Sequence, residues 1–267
     1  MKINLKIIPI DFLKQYSLLV NKDLHLLFDD LKEAEISNES FSFYTSVSAI
    51  TSSRIEGEQM DVDSYVKHKM LNIEYKPDLV QKPNDLYQAY LFAQQNELAL
   101  DDFLKAHAIL ASHLLPKGKQ GVCRTGNMVV MEHNTGRIQY EAAPARQVEE
   151  LFHWLWDDIE QLKKQNLTHL EVFYFAAFIH LMFVNIHPFE DGNGRAGRLL
   201  EKWFIAEKLG IKAWYMQSEL NYYNQVKNYY LNLNALGMFY EQLDYNKAMP
   251  FLLMLPGSLG RDDGIEV

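Results

Sequence analysis

From Leu170 to Ile186 the chain is apolar nearly all round, which predicts a buried central helix rather than a surface one. Pro188 breaks that helix. Leu199, Leu200, Trp203, Phe204 and Leu209 then repeat at helical spacing, with Gly210 as the stop. Upstream, Leu13, Leu18, Leu24, Leu27 and Leu31 make a loose stripe that predicts a helix over Ile10 to Leu31, and Glu33 to Ser40 reads as a polar turn. A second helix begins at Phe41, with Phe43, Val47 and Ile50 on one face. Its continuation, Thr45 to Ser53, is rich in serine and threonine, which compete with helical backbone bonds; such a segment either ends a helix or uses its hydroxyls. Asp61 caps a helix carrying Val62, Tyr65, Val66, Met70 and Ile73. Pro77 and Pro83 bracket a connecting loop, after which Asn84 caps a helix to Ala99 and Asp101 another to Leu115. Leu151, Phe152, Leu155 and Ile159 mark an amphipathic helix over Val148 to Leu162. Asn221-Tyr222-Tyr223 opens a further helix, Phe251 to Leu255 closes the last, and Pro256 to Val267 reads as a loose tail.

One segment departs from this helical pattern. Gly121, Gly126 and Gly136 punctuate two short runs, Met128 to Met131 and Arg137 to Tyr140, joined by the hairpin turn Asn134-Thr135-Gly136. The expected fold class is all-α with a single β-hairpin.

Composition narrows the chemistry. The formal net charge of −9 argues against non-specific binding to nucleic acid or an acidic membrane. The single cysteine, Cys123, leaves no internal disulfide and no cysteine-based zinc site, which fits a reducing, cytoplasmic setting. No stretch is expected to cross a bilayer, and no signal-peptide pattern stands at the N-terminus. His107 and His113 lie six apart, not at the i, i+4 spacing of two ligands on one face, and read as structural, as does His180.

The chemistry concentrates between the two apolar helices, in His187-Pro188-Phe189-Glu190-Asp191-Gly192-Asn193-Gly194-Arg195-Ala196-Gly197-Arg198. The glycines allow a tight loop whose backbone N–H groups converge at a helix start, where the helix dipole favours an anion. Arg195 and Arg198, three apart, can reach one polyphosphate. Asp191 is a hard oxygen ligand suited to a magnesium ion that keeps most of its waters. His187 can take a proton from an incoming hydroxyl. Together these parts suit in-line attack on a nucleotide phosphate.

The stretch resembles the Fic motif, His-Pro-Phe-x-Asp/Glu-Gly-Asn-Gly-Arg-x-x-Arg, at every defined position. The resemblance implies an all-α core with a β-hairpin flap and transfer of AMP from ATP to a hydroxyl of a target protein. It implies His187 as general base, Asp191 as the holder of Mg2+ or Mn2+, and Phe189 as a structural pin. Asn193, with the Gly192 to Gly194 backbone, would hold the α- and β-phosphates; Arg195 would take the β-phosphate and Arg198 the γ-phosphate. A phosphotransferring branch has lysine for the second glycine and lacks the final arginine; Gly194 and Arg198 favour AMP transfer here. Upstream, Ser52-Ser53-Arg54-Ile55-Glu56-Gly57 resembles the family's inhibitory motif, Ser/Thr-x-x-x-Glu-Gly/Asn, through Ser52, Glu56 and Gly57. There the glutamate would pair with the second motif arginine. Tyr222 and Tyr223 resemble a tyrosine pair near the adenine. Met128, Val129, Val130, Arg137, Ile138 and Tyr140 fall in the flap that would hold the target by strand-like pairing.

These expectations assemble into a helical regulatory region over 1–99, with its inhibitory motif at 52–57, a catalytic core over 100–255, and a tail over 256–267. The expected activity is that of a protein adenylyltransferase restrained by Glu56. Two rivals are a phosphodiesterase that removes AMP from a modified protein at the same site, and a non-catalytic protein that only binds nucleotide. The substrate would be ATP with Mg2+ or Mn2+. The target protein is not identified by the sequence; the chain itself is one candidate, and a homodimer is open.

Overall fold

A computed structural model describes residues 3–37, 41–131, 136 and 138–259. The N-terminal region holds α1 (Leu13–Leu19) and α2 (Leu24–Asp29), followed by α3 (Phe43–Ile55), α4 (Val62–Leu71), α5 (Pro77–Gln95) and α6 (Leu100–Leu110). A two-stranded antiparallel ribbon, β1 (Val129–Met131) and β2 (Ile138–Glu141), precedes α7 (Ala145–Lys163), α8 (His169–Ile186) and α9 (Asn193–Leu209). Helices α10 (Ser218–Asn224), α11 (Val226–Asn234), α12 (Met249–Leu252) and α13 (Met254–Gly257) close the chain. The all-α class with one hairpin stands.

The centre is α8, nearly all of whose residues are buried. Thr168 starts it with a reciprocal capping box to Glu171. By length and composition α8 could cross a membrane, contrary to the expectation for the sequence, but it is packed inside the protein on nearly every side. α9 lies against it closely at Gly197, where a Cβ would come 3.0 Å from Val184 and 3.1 Å from His180.

Several boundaries differ from the sequence pattern; Asp101, for one, lies inside α6, whose N-cap is Ala99 and which stops at Leu110. The Ile10 to Leu31 stripe is broken between α1 and α2, because Asp23 accepts the Leu26 N–H and caps a new helix. The prolines bracket no loop: Pro77 sits in the first turn of α5, and Pro83 is buried inside the same helix. The packing of α5 on α3 and α6 offsets the backbone bond that Pro83 removes. Asn84 is no cap; its amide lies between Tyr65 and His68. The stretch expected to open a loose tail does not do so at Pro256, since Pro256 and Leu259 are buried in the core; residues 260–267 lie outside the described ones.

The serine-threonine segment does not end its helix. α3 runs unbroken to Ile55 with Ser46, Ser48, Thr51, Ser52 and Ser53 all buried. Four of these hydroxyls face partners, and that of Ser53 has none: Ser46 and Thr51 donate back to the carbonyls of Ser42 and Val47, Ser48 accepts from Lys202 Nζ at 2.8 Å, and Ser52 accepts from Arg198 Nε at 2.8 Å. Two of those partners belong to α9, so this N-terminal helix is tied by polar contacts to the helix carrying the motif arginines.

Candidate active site

The loop between α8 and α9 is shaped by its own side chains. His187, at the C-terminal end of α8, has φ 55°, a left-handed conformation that is strained for histidine. Arg124 holds it there. This buried guanidinium donates to the carbonyls of His187 (2.7 Å), Gly126 (2.6 Å), Ala143 (2.6 Å) and Ile186 (3.1 Å), joining His187, the hairpin stem and the end of α8. No motif or spacing in the sequence marks Arg124 for this role, since its acceptors are backbone carbonyls. Phe189 is fully buried and stacked on His107 at 3.6 Å. The Gly121 N–H donates to His107 Nδ1, so Nε2 carries the proton and donates to the Asp191 carbonyl at 3.0 Å. His107 is structural, as read, and its structure is that of the loop.

Asn193 turns inward. Its amide accepts from the Phe189 N–H at 2.9 Å and donates to the Phe189 carbonyl at 2.8 Å, so the side chain braces the loop instead of facing a phosphate. Gly192 (φ 82°) caps α9, and the first-turn N–H groups of that helix have no partner within it. Asp191 is exposed, with one oxygen accepting the Gly192 N–H. A single solvent-facing carboxylate beside an anion cradle fits a magnesium ion that completes its shell with water and phosphate oxygens. Arg195 is buried, and its Nε has no hydrogen-bond partner in the protein, an orphan donor that an anionic ligand would satisfy.

A cleft of about 670 Å3 opens over this loop. Glu56, Gly194 and His187 line its floor, Val130, Met131 and Tyr140 of the hairpin one side, and Tyr229 and Tyr230 of α11 the other. Val129, Met131 and Ile138 are exposed along the ribbon, whose register slips between Val130 and Met131. Met128 lies just before β1 and accepts from the Ala142 N–H; Arg137 and the turn residues Asn134 and Thr135 lie outside the described residues. Tyr140 donates to the Val184 carbonyl at 3.0 Å and places its ring beside His187. Tyr222 and Tyr223 do not line the cleft. Tyr222 is buried and donates to Glu201, while Tyr223 accepts from Arg54 Nε at 2.7 Å. Periodicity cannot tell one tyrosine pair from another seven residues on.

The end of α3 enters the cradle. Gly57 (φ 94°) follows the helix, with its N–H on the Arg54 carbonyl and the Glu58 N–H on the Ser53 carbonyl. This Schellman turn presents carboxylates from both sides of the glycine. Glu56 Oε1 accepts from Arg198 Nη2 at 2.7 Å and lies so close over α9 that a Cβ on Gly194 would fall 2.2 Å from it. Glu58 Oε1 sits 3.4 Å from Arg195 Nη2 and 2.9 Å from Lys82 Nζ. Both motif arginines therefore meet an acid from one turn. Arg198 is fully buried and also bonds the Ser52 hydroxyl and carbonyl and the Tyr229 hydroxyl. Behind it a buried chain continues from Tyr229 to His180 Nε2 (3.0 Å) and from His180 Nδ1 to Glu201 (2.8 Å), which fixes the position of Tyr229.

Electrostatics follow from this packing. Burial alone would raise the Glu56 carboxyl, but the charges of Arg198 and Arg195 outweigh it and hold the group below the usual carboxylate range. Burial pushes His187 down to about 4, against a smaller upward pull from its Nδ1 bond to the Val184 carbonyl and with a further push from Arg124. The imidazole is thus neutral at pH 7. With Nδ1–H donating to Val184 at 3.1 Å, Nε2 keeps a free lone pair.

A model of the Fic/DOC family matches residues 97–205. The chain carries a Fic/DOC domain. The family includes AMP-transferring and related nucleotidyl-transferring enzymes. The fold is similar to a Fic family protein from Desulfovibrio desulfuricans at 22% identity and TM-score 0.67, covering 81% of this chain and 62% of that one. It is similar to a Fic-domain-containing signaling protein from Bacteroides thetaiotaomicron at 19% identity and TM-score 0.61, covering 92% of each. Fic-1 from C. elegans aligns over 93% of this chain and 68% of the fragment solved, at 18% identity and TM-score 0.63. At these identities the likeness is one of fold. The Fic/DOC domain begins after α5, so the turn bearing Glu56 and Glu58 comes from outside the matched segment.

Proposed function

We propose that this Fic protein transfers AMP from ATP to a hydroxyl of a target protein and is held silent by its own α3. The observation that carries the reading is the Glu56 carboxylate lying over Gly194 and bonded to Arg198, an acid in the anion cradle of the catalytic helix. In the active arrangement, the first turn of α9 with Arg195 and Arg198 would take the triphosphate. Magnesium, held by Asp191 and phosphate oxygens, would neutralise charge on the leaving pyrophosphate. His187 Nε2 takes the proton as the hydroxyl oxygen attacks the α-phosphorus. The bond from the α-phosphorus to the oxygen bridging to the β-phosphate breaks, and pyrophosphate leaves. The hairpin, with Val129, Met131 and Ile138 outward, would pair with the target segment.

Glu58 extends this restraint to Arg195, so release frees both arginines when the Schellman turn withdraws. A second reading has one observation behind it: Glu56 lines the cleft together with His187, where a carboxylate could activate water against a protein–AMP phosphodiester. The deciding experiment incubates wild type and Glu56→Gly with ATP and magnesium, and separately with AMP-modified protein. Mass addition of AMP that rises in the variant supports transfer. Release of AMP by wild type that disappears in the variant supports the hydrolytic reading instead.

A further inference from the structure

Far from the cleft, three metal-ligating side chains converge where α2 meets the first turn of α8. His25 and Asp29 stand at i, i+4 on α2, with Nε2 and Oδ2 3.4 Å apart. His169, the first residue of α8, sets its ring edge-to-face against His25 with centroids 4.6 Å apart. One ligand atom from each of the three lies within 4.8 Å of the others. Zinc bonds of about 2.0–2.2 Å place tetrahedral ligand atoms roughly 3.4 Å apart. The His25–Asp29 pair already has that separation, and side-chain rotation of the exposed His25 and the partly exposed His169 closes the remainder.

Several features favour a cation here. Phe28 backs the His169 ring at 5.6 Å and limits its orientations. Lys212 donates to the backbone carbonyl of Asp29, not to its carboxylate. Two imidazoles and one carboxylate suit zinc, cobalt, nickel or copper, and not magnesium, which prefers an oxygen shell.

We propose that His25, Asp29 and His169 form a site for a divalent transition metal, zinc in the first instance, that clamps α2 to the start of α8. About 18 residues at 1.5 Å each separate His169 from His187, roughly 27 Å along α8, so the site is structural and independent of the transfer reaction. The test uses tag-free, chelator-treated full-length protein with zinc chloride alone. We expect saturable uptake of one equivalent with Kd on the order of 10 µM, and a rise in Tm of about 3–5 °C at 100 µM zinc. Cobalt should give the visible absorption of a low-coordinate nitrogen–oxygen site. His25→Gln, at an exposed position where folding is not at risk, and His169→Gln should each abolish uptake, whereas the exposed His153→Gln should not. The proposal is overturned by the lack of saturable uptake up to 100 µM zinc, or by uptake that is unchanged in both His25→Gln and His169→Gln.

Discussion

Removing the Glu56 carboxylate should convert a nearly silent protein into an active one, and the structure sets the size of the effect. In the resting arrangement the carboxylate is 2.7 Å from Arg198 Nη2 and directly above Gly194. A γ-phosphate seeking the same guanidinium would stand about 4 Å from it. Two unit charges at that distance, with an effective dielectric of about 20, repel by about 4 kcal/mol. That corresponds to about three decades in occupancy of the productive pose. Displacement of the α-phosphate alone can cost about 10²-fold in rate. Glu56→Gly should therefore raise the initial rate of AMP transfer by about 10²–10³-fold, read as incorporation of α-labelled phosphate into the protein itself and into lysate proteins. Without nucleotide the variant should be less stable by about 1–3 kcal/mol, because the buried Arg198 keeps only the Ser52 and Tyr229 contacts. Saturating ATP with magnesium should restore the lost Tm. Glu58→Ala in the Glu56→Gly background should add a smaller gain by releasing Arg195 from its 3.4 Å pair. Arg198→Ala should stay inactive in either background, since the clamp itself is then missing. Equal transfer rates in wild type and Glu56→Gly, across saturating ATP and metal, would refute the reasoning.

Further outcomes follow from the same geometry. His187→Ala should keep ATP affinity and lose about 10²–10⁴-fold in transfer; binding and single-turnover measurements separate the two. Because His187 is held at about 4, its base form persists well below pH 6.5, and kcat/KM of an activated variant should fall only as pH drops through that low value; an acidic limb near 6.5 would contradict this. Asp191→Ala should mimic removal of magnesium by a chelator, and full activity in either case would exclude it as the ion's holder. Arg124→Lys should lower kcat with little change in ATP affinity, because an ammonium cannot reproduce the fork that bonds four carbonyls; unchanged kcat would mean that the His187 backbone holds itself. Replacing Val129 and Ile138 by serine should harm modification of a protein target more than self-independent ATP binding, and equal losses would make the ribbon merely structural.

The contrast between the motif loop and its surroundings shows what a sequence can reveal. The candidates in His187 to Arg198 could be read because they are contiguous: a histidine, a carboxylate, glycines and two arginines follow each other along twelve positions. Arg124 was not, since its acceptors are backbone carbonyls, one of them 63 residues away, and a carbonyl has no sequence signature. The hydroxyl-rich α3 offered two readings, and the choice depended on Lys202 and Arg198, distant partners that turn poor helix formers into a buried polar face. Pro83 misled because local propensity is weaker than the packing of a long helix. Glu58 carried a signal that could have been used, an acid mirroring Glu56 across a glycine at a helix end. Asn193 was assigned to phosphate through its place in the motif, while its amide is spent on the Phe189 backbone.

The tethering of α3 to α9 has a consequence for how the protein responds to its surroundings. If Glu56 inhibits as proposed, the inhibitor built into the same chain is present at an effective concentration set by the fold, on the order of millimolar or above, and dilution does not lower it. The silent fraction should then be the same in a cell making ten copies as in one making ten thousand. On the proposed function, diffusing ATP would compete against that constant local supply of carboxylate, and ordinary swings in nucleotide level would shift the balance only in proportion. A stronger response requires something that loosens the hold of Ser48 on Lys202 or of Ser52 on Arg198. Sensitivity would thus reside in the seating of one helix, and tuning it by evolution needs changes along α3 alone, with the reacting groups left untouched.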